Sequence, residues 1–219
     1  MSGAQLNAKG FKMDLVDTKF CTLYYHELWW LSHSVLRKSE QVFNETTIPD
    51  DGFVIQVSPE IHSVIASLLS DAANIKKLVS TSSVKANGEN GVRFKLRKER
   101  AKELADFIAP LQIKELLNHK VRNTLEHFDE YLDESNYNVS RKAPEGRLAV
   151  YNMILSHWEV ISPRVYPLRL YVSSERKFYN MKWDVDIGLI HAEAKSIVEK
   201  LRTLKAFEVE EPGGLMMHI

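Results

Sequence analysis

Residues 111–134 read LQIKELLNHKVRNTLEHFDEYLDE. Ile113, Leu117, Val121, Leu125, Phe128 and Leu132 recur at steps of three or four and lay one apolar stripe along a helix. The stretch therefore reads as one long helix, of the kind that packs stripe to stripe in a bundle. At about 100° per residue, Arg122 falls on one flank of the stripe and His127 on the other, roughly 140° apart. Asn123 and His127 stand four residues apart and can touch. Arg122 and His127 act together only if the helix is irregular there or a second copy of the chain supplies one of them.

The chain around this stretch has 219 residues and is 44% hydrophobic, enough for one large domain with a substantial core. Its 29 basic and 29 acidic residues balance, which argues against a general nucleic-acid coat protein and allows only a local basic patch. One cysteine, Cys21, rules out an internal disulfide and a cysteine-based zinc site, and reads as a small core residue. The opening MSGAQLNAKGFKMD holds no apolar run of a signal peptide. No stretch approaches the roughly 18 apolar residues of a membrane span. A soluble, cytoplasmic protein without membrane contact is expected.

Read in order, residues 1–13 are small, polar and loose, and residues 14–45 form a helix. Val16, Phe20, Leu23, Tyr24, Leu28, Leu31, Val35 and Val42 give it a core stripe, and His26, Trp29, Trp30 and His33 give it an aromatic face, either core or subunit interface. Glu27 falls inside the stripe. It either partners a motif Arg or His or reaches water at the stripe's edge. Residues 46–57 form a turn with a short extended piece. Ser58-Pro59-Glu60 caps a helix to about Leu78, and residues 80–92 are a polar loop. A helix over 93–108 opens with Arg93, Lys95, Arg97, Lys98, Arg100 and Lys102. Arg93, Arg97 and Arg100 share one face, as a solvated surface or a patch that follows RNA phosphates. Residues 135–147 read as a loop, and 148–160 as helix or strand. Leu168, Leu170 and Val172 alternate, Ser173–Arg176 turns, and Phe178, Tyr179 and Trp183 mark a return strand. Asp186 caps a last helix over 187–204, and 205–219 is a tail. Trp158 and Trp183 are expected to anchor a small core of the 148–204 element. The fold expected is mainly α: an antiparallel up-down bundle of about four long helices in a single domain, 14–204, with an appended C-terminal β-hairpin and closing helix.

Arg122-Asn123-Thr124-Leu125-Glu126-His127 has the form Arg, polar residue, three more, His, late in a helical chain. In this the segment 14–134 resembles the HEPN superfamily (higher eukaryotes and prokaryotes nucleotide-binding domains). The resemblance implies a homodimer whose motif helices meet, so that Arg122 of one copy faces His127 of the other. It also implies, for catalytic members, a metal-independent endoribonuclease of toxin or phage-defence type. Such cleavage uses the neighbouring 2′-hydroxyl as nucleophile and leaves a 2′,3′-cyclic phosphate. His127 would serve as base or acid, and Arg122 would present a fixed fork to phosphate oxygens. Asn123 would donate to the same phosphate or fix the His127 ring. No cofactor or metal is needed. Glu27, Glu126 and Glu130 are candidate supporting residues.

The acidic residues Glu126, Asp129, Glu130, Asp133 and Glu134 around the motif oppose an RNA backbone. They favour the alternative, a non-catalytic dimeric module that binds a nucleotide or a protein partner of antitoxin type. On that reading Arg122 pairs with Glu126, and His127 with Glu130, on a solvated face. A metal-dependent bundle enzyme using His127, Glu130, Glu27, His26 or His119 is a further alternative, but the Glu-x-x-His order of bundle metal sites is reversed and occurs once. His62, His157, His191 and His218 are scattered singly and read as surface or partly buried residues rather than ligands.

Overall fold

The computed structural model describes residues 15–141, 149–161 and 166–216, with the side chains of 15–20, 122, 124 and 125 outside that description. The expected N-terminal segment 1–13, residues 142–147 of the expected loop 135–147, His218 and the Arg122 and Leu125 side chains lie outside the described residues. In chain order the elements are α1 (Leu15–Glu45), β1 (Ile55–Gln56), α2 (Pro59–Val79), α3 (Gly91–Ile108), α4 (His119–Glu126), α5 (Phe128–Arg141), β2 (Ala149–Leu155), β3 (Tyr166–Val172), β4 (Lys177–Asn180), β5 (Trp183–Asp186) and α6 (Ile187–Arg202).

The strands overturn the expected helical bundle with an appended hairpin. They form one five-stranded sheet, order β1-β2-β3-β4-β5, and the architecture is α/β. The sheet is mixed: β2 runs parallel to β3 and the other neighbours are antiparallel. The ambiguous segment 148–160 supplies β2, and a short 3-10 turn over Trp158–Val160 follows it. The turn at Ser173–Arg176 stands where expected. Trp183, however, lies on a further strand, because the chain turns again at Met181 with a left-handed φ of 56°.

Both faces of the sheet are covered. Ile154, Tyr171, Phe178 and Val185 point into the main core with Leu28 and Val35 of α1, Ile65 and Leu69 of α2, and Ile190 and Ile197 of α6. Val150, Leu155, Leu170 and Val172 point the other way and pack under Trp158 in a smaller cluster. So the C-terminal strands complete the same core as the helices. Trp183 is not in the smaller cluster; its ring meets His119 and Tyr131 edge-on.

The long helix expected over 111–134 is broken in two places, each for a local reason. Gln112 takes a left-handed φ of 54° after a 3-10 turn, Ala109–Leu111. The next three amides then go to one side chain: buried Glu193 of α6 accepts from the N–H groups of Lys114 (2.7 Å), Glu115 (3.0 Å) and Leu116 (2.8 Å). A carboxylate that captures three consecutive amides supplies the partners a helix would have provided. The helix resumes at Asn118, whose side chain accepts from Lys120 N–H. It stops again at His127 (φ −117°, ψ 36°), whose carbonyl accepts from Tyr131 N–H and starts α5. That helix runs on to Arg141, through residues expected as loop.

Other helix ends follow the sequence signals. Ser58 Oγ accepts from Ile61 N–H, and Asp186 Oδ1 from Leu189 N–H, each satisfying an otherwise orphaned first-turn donor. The tail after α6 is docked: buried Phe207 meets the Trp29 ring at 5.3 Å, and Gly213 O lies 2.7 Å from His26 Nε2. Cys21 is buried on α1. No described helix is long and apolar enough to cross a membrane.

Candidate functional site

The RNTLEH segment occupies α4 and its C-terminal cap. His127 is exposed at the break between α4 and α5. Its Nδ1 lies 3.4 Å from Glu130 Oε2, and its ring lies against Tyr131. Asn123 is half-buried. The acidic residues around the motif meet lysines from other elements: Glu126 with Lys77 (3.6 Å) and Glu134 with Lys182 (2.6 Å). Pairs this exposed contribute about 0–1 kcal/mol each, so they neutralise the surface more than they hold the fold.

The basic face of α3 is largely used internally. Arg97 donates to both Glu89 carboxylate oxygens, to Thr81 Oγ1 and to the carbonyls of Ser82 and Val84. It thereby ties down the loop between α2 and α3, and its hydrogen bonds hold the Glu89 carboxyl down to about 2. Arg100 donates to Lys77 O and stacks over Tyr24. Arg93 is exposed. Glu27 is exposed on α1 and reaches water, the second of its two expected positions. Among the described residues no group of three or more His, Cys, Asp or Glu is placed to hold a metal ion.

The arrangement with most chemistry lies elsewhere. A groove of about 470 Å³ runs between the N-terminal half of α2 and the main-core face of the sheet. Pro59, His62, Ser63 and Ala66 line it from α2. Asn152, Arg169, Phe178 and Asn180 line it from β2, β3 and β4, and Phe128 comes from the start of α5.

Arg169 is placed by strand parity. Leu168 and Leu170 turn to one face of β3, so Arg169 and Tyr171 turn to the other, the face on which Tyr171 is fully buried. The guanidinium stands over the Phe128 ring at 4.8 Å and the Tyr151 ring at 5.6 Å, and its Nη1 donates to Asn152 Oδ1 at 3.2 Å. Among the described residues no carboxylate lies within ion-pair distance of it. Two ring faces and one amide offset a half-buried charge only in part, at about 0.5–2 kcal/mol per ring.

Asn152 is aimed at Arg169 by a bulge. Tyr151 pairs with Arg169 and Met153 with Leu170, which leaves Asn152 unpaired at a φ of 56°. Asn tolerates that conformation better than other residues with a Cβ, and such a bulge redirects one side chain without slipping the strand. His62 lies one turn into α2, both its ring nitrogens covered and without a hydrogen-bond partner among the described residues. Burial holds its pKa below the ordinary 6.5, the Arg169 charge adds to that, and the Asn152 backbone pulls the other way.

The groove thus gathers a cation lacking a described counter-charge, a neutral histidine, two amides, a hydroxyl and aromatic rings. Among the described residues that wall is rich in donors and holds no carboxylate, which suits an anionic group with a flat body beside it. Reading the residues in order missed it. His62 is one of several histidines scattered singly, and Phe128 falls in the apolar stripe of 111–134. The one available signal was the parity of PLRLYV, which puts Arg169 on the face opposite three aliphatic residues. Compared with protein-family models, curated proteins and solved structures, the chain matches none.

Proposed function

We propose that the groove between α2 and the sheet binds a phosphate-bearing ligand, with Arg169 on the phosphate and the Phe128 side of the groove against a base or sugar. The observation that carries this reading is Arg169 itself: a half-buried guanidinium held by rings and an amide, facing a cavity, with no described carboxylate beside it. A guanidinium so placed is completed by an oxyanion, and phosphate fits its planar fork. The cavity volume lies in the range of nucleotide-sized ligands. The test is calorimetric titration with adenosine monophosphate. Arg169→Gln removes a charged hydrogen bond of about 1.5–3 kcal/mol, or roughly tenfold to hundredfold in affinity. Equal affinity in wild type and variant contradicts the proposal.

The second reading is the HEPN-like endoribonuclease, with its homodimer, its RNA substrate and an antitoxin-like partner. What favours it is the place of the motif: His127 is exposed at a helix break, and the next residue, Phe128, borders the groove. RNA threaded past Phe128 would bring a phosphodiester near both. Incubation with a mixed RNA pool in EDTA tests it. Cleavage by wild type but not by His127→Ala, with cyclic-phosphate ends, supports the ribonuclease; no cleavage by wild type leaves the binding reading alone.

A further inference from the structure

The two ends of the sheet are finished differently. At one end β5 is covered by α4, with Lys120 on Asp184 at 3.0 Å and His119 against Trp183. At the other end β1 pairs with β2 through Val54 and Gln56. Val54 O accepts from Ser156 N–H, and its N–H donates to Ser156 Oγ, while Gln56 stands opposite Ile154. In an antiparallel ladder, alternate residues point their amides inward and the rest outward. Ile55 is therefore the outward residue of β1, and the alternating exposure of residues 53–57 extends the pattern to Phe53 and Val57 on either side of the strand. The side chains of Phe53, Ile55 and Val57 stand 58, 52 and 71% exposed, with the Phe53 ring edge-on to His157 and Val57 also bordering the groove. Natural edge strands are blunted by shortness or by charge or Pro within the strand, and of these β1, two residues long, has only the shortness. Here Pro49 and Pro59 lie outside residues 53–57, and no charged residue falls among those five.

Residues 45–60 also carry Glu45, Asp50, Asp51 and Glu60 and no Lys or Arg. That charge decides the occupant. A second copy pairing antiparallel about Ile55 would bring Asp50 and Asp51 of one copy toward Glu60, on the first turn of α2, of its twin, acid toward acid. We propose that the edge of β1, which pairs with no further strand among the described residues, is a strand-addition site for an extended segment of a partner protein that has alternating apolar residues and basic flanks. The backbone of Phe53, Ile55 and Val57 supplies the ladder, their side chains supply the apolar row, and the acidic flanks select the charge.

The test uses the full chain, ¹⁵N-labelled, at low salt. The probes are a peptide of alternating Val and Thr with lysines at both ends and the same peptide with glutamates instead. The lysine peptide is expected to shift and protect the amides of Phe53, Ile55 and Val57, and to bind about tenfold tighter than the glutamate peptide. Ile55→Pro deletes one outward N–H, and Ile55→Lys keeps it while breaking the apolar row and the charge match. Each is expected to lose about tenfold with an unchanged circular dichroism spectrum. Equal binding of the two peptides overturns the proposal, as does absence of protection with either. Protection that rises with protein concentration alone, with a dimer in sedimentation, overturns it in favour of a second copy.

Discussion

Replacing Glu193 by Ala should be among the most damaging single changes outside the apolar core. Its carboxylate is buried and accepts three consecutive backbone amides, those of Lys114, Glu115 and Leu116. Leu116 is fully buried, Glu115 half-buried and Lys114 exposed. An orphaned buried donor costs about 1–3 kcal/mol, and an exposed one recovers most of that from water. The loss therefore falls mainly on Leu116 and partly on Glu115, about 3 kcal/mol together. Urea denaturation followed by tryptophan fluorescence measures it. Glu193→Gln keeps one acceptor oxygen and should cost about half as much. The segment also includes Glu115, whose Oε1 accepts from Asp186 N–H at 3.1 Å, so the loss should reach the N-terminal cap of α6. A cost below about 1 kcal/mol for Glu193→Ala would mean that water or a re-formed helix satisfies these amides. The account of why 111–134 is not one helix would then be wrong.

Two further expectations rest on charge. His33, His62 and His191 are each held below their ordinary 6.5, in every case first by burial. The unfolded chain then takes up protons that the folded chain resists. Stability is full above about pH 6.5 and falls as pH drops below it, by up to about 1.4 kcal/mol per pH unit for each histidine. Urea midpoints at pH 7.5 and 5.5 check this, and a higher midpoint at the lower pH contradicts it. Arg97→Ala should release the loop that Arg97 ties through Glu89, Thr81, Ser82 and Val84. Proteolysis between residues 81 and 89 should become faster while cutting within α2 does not. A cleavage pattern like that of wild type would show that the loop holds itself.

The helices of the core were legible because each obeys a local rule. The stripes of α1, α2 and α6 repeat at helical spacing, and Ser58 and Asp186 mark their starts with side chains that do cap. The turn at Ser173–Arg176 was legible from its residues. The sheet was not, because its strands are buried on both faces. The β3–β4 hairpin showed in the alternation of Leu168, Leu170 and Val172, but AVYNMIL of β2 lacks the alternation that identifies a half-buried strand, so nothing tied the hairpin to a larger sheet. The break in 111–134 depends on a residue some eighty positions away, and no periodicity within the segment reports that. The groove was hidden for the same reason. It assembles His62, Phe128, Asn152, Arg169 and Asn180 from separate elements, and its key device, the bulge at Asn152, is a backbone event.

The most direct test of the groove as an anion site is to watch the arginine side chains themselves. In an NMR spectrum of arginine Nε–H groups, adenosine monophosphate should move the Arg169 signal and leave Arg97, already saturated by Glu89 and the loop carbonyls, in place. Movement of the α3 arginines with Arg169 unmoved would contradict the account and transfer the anion site to the basic helix.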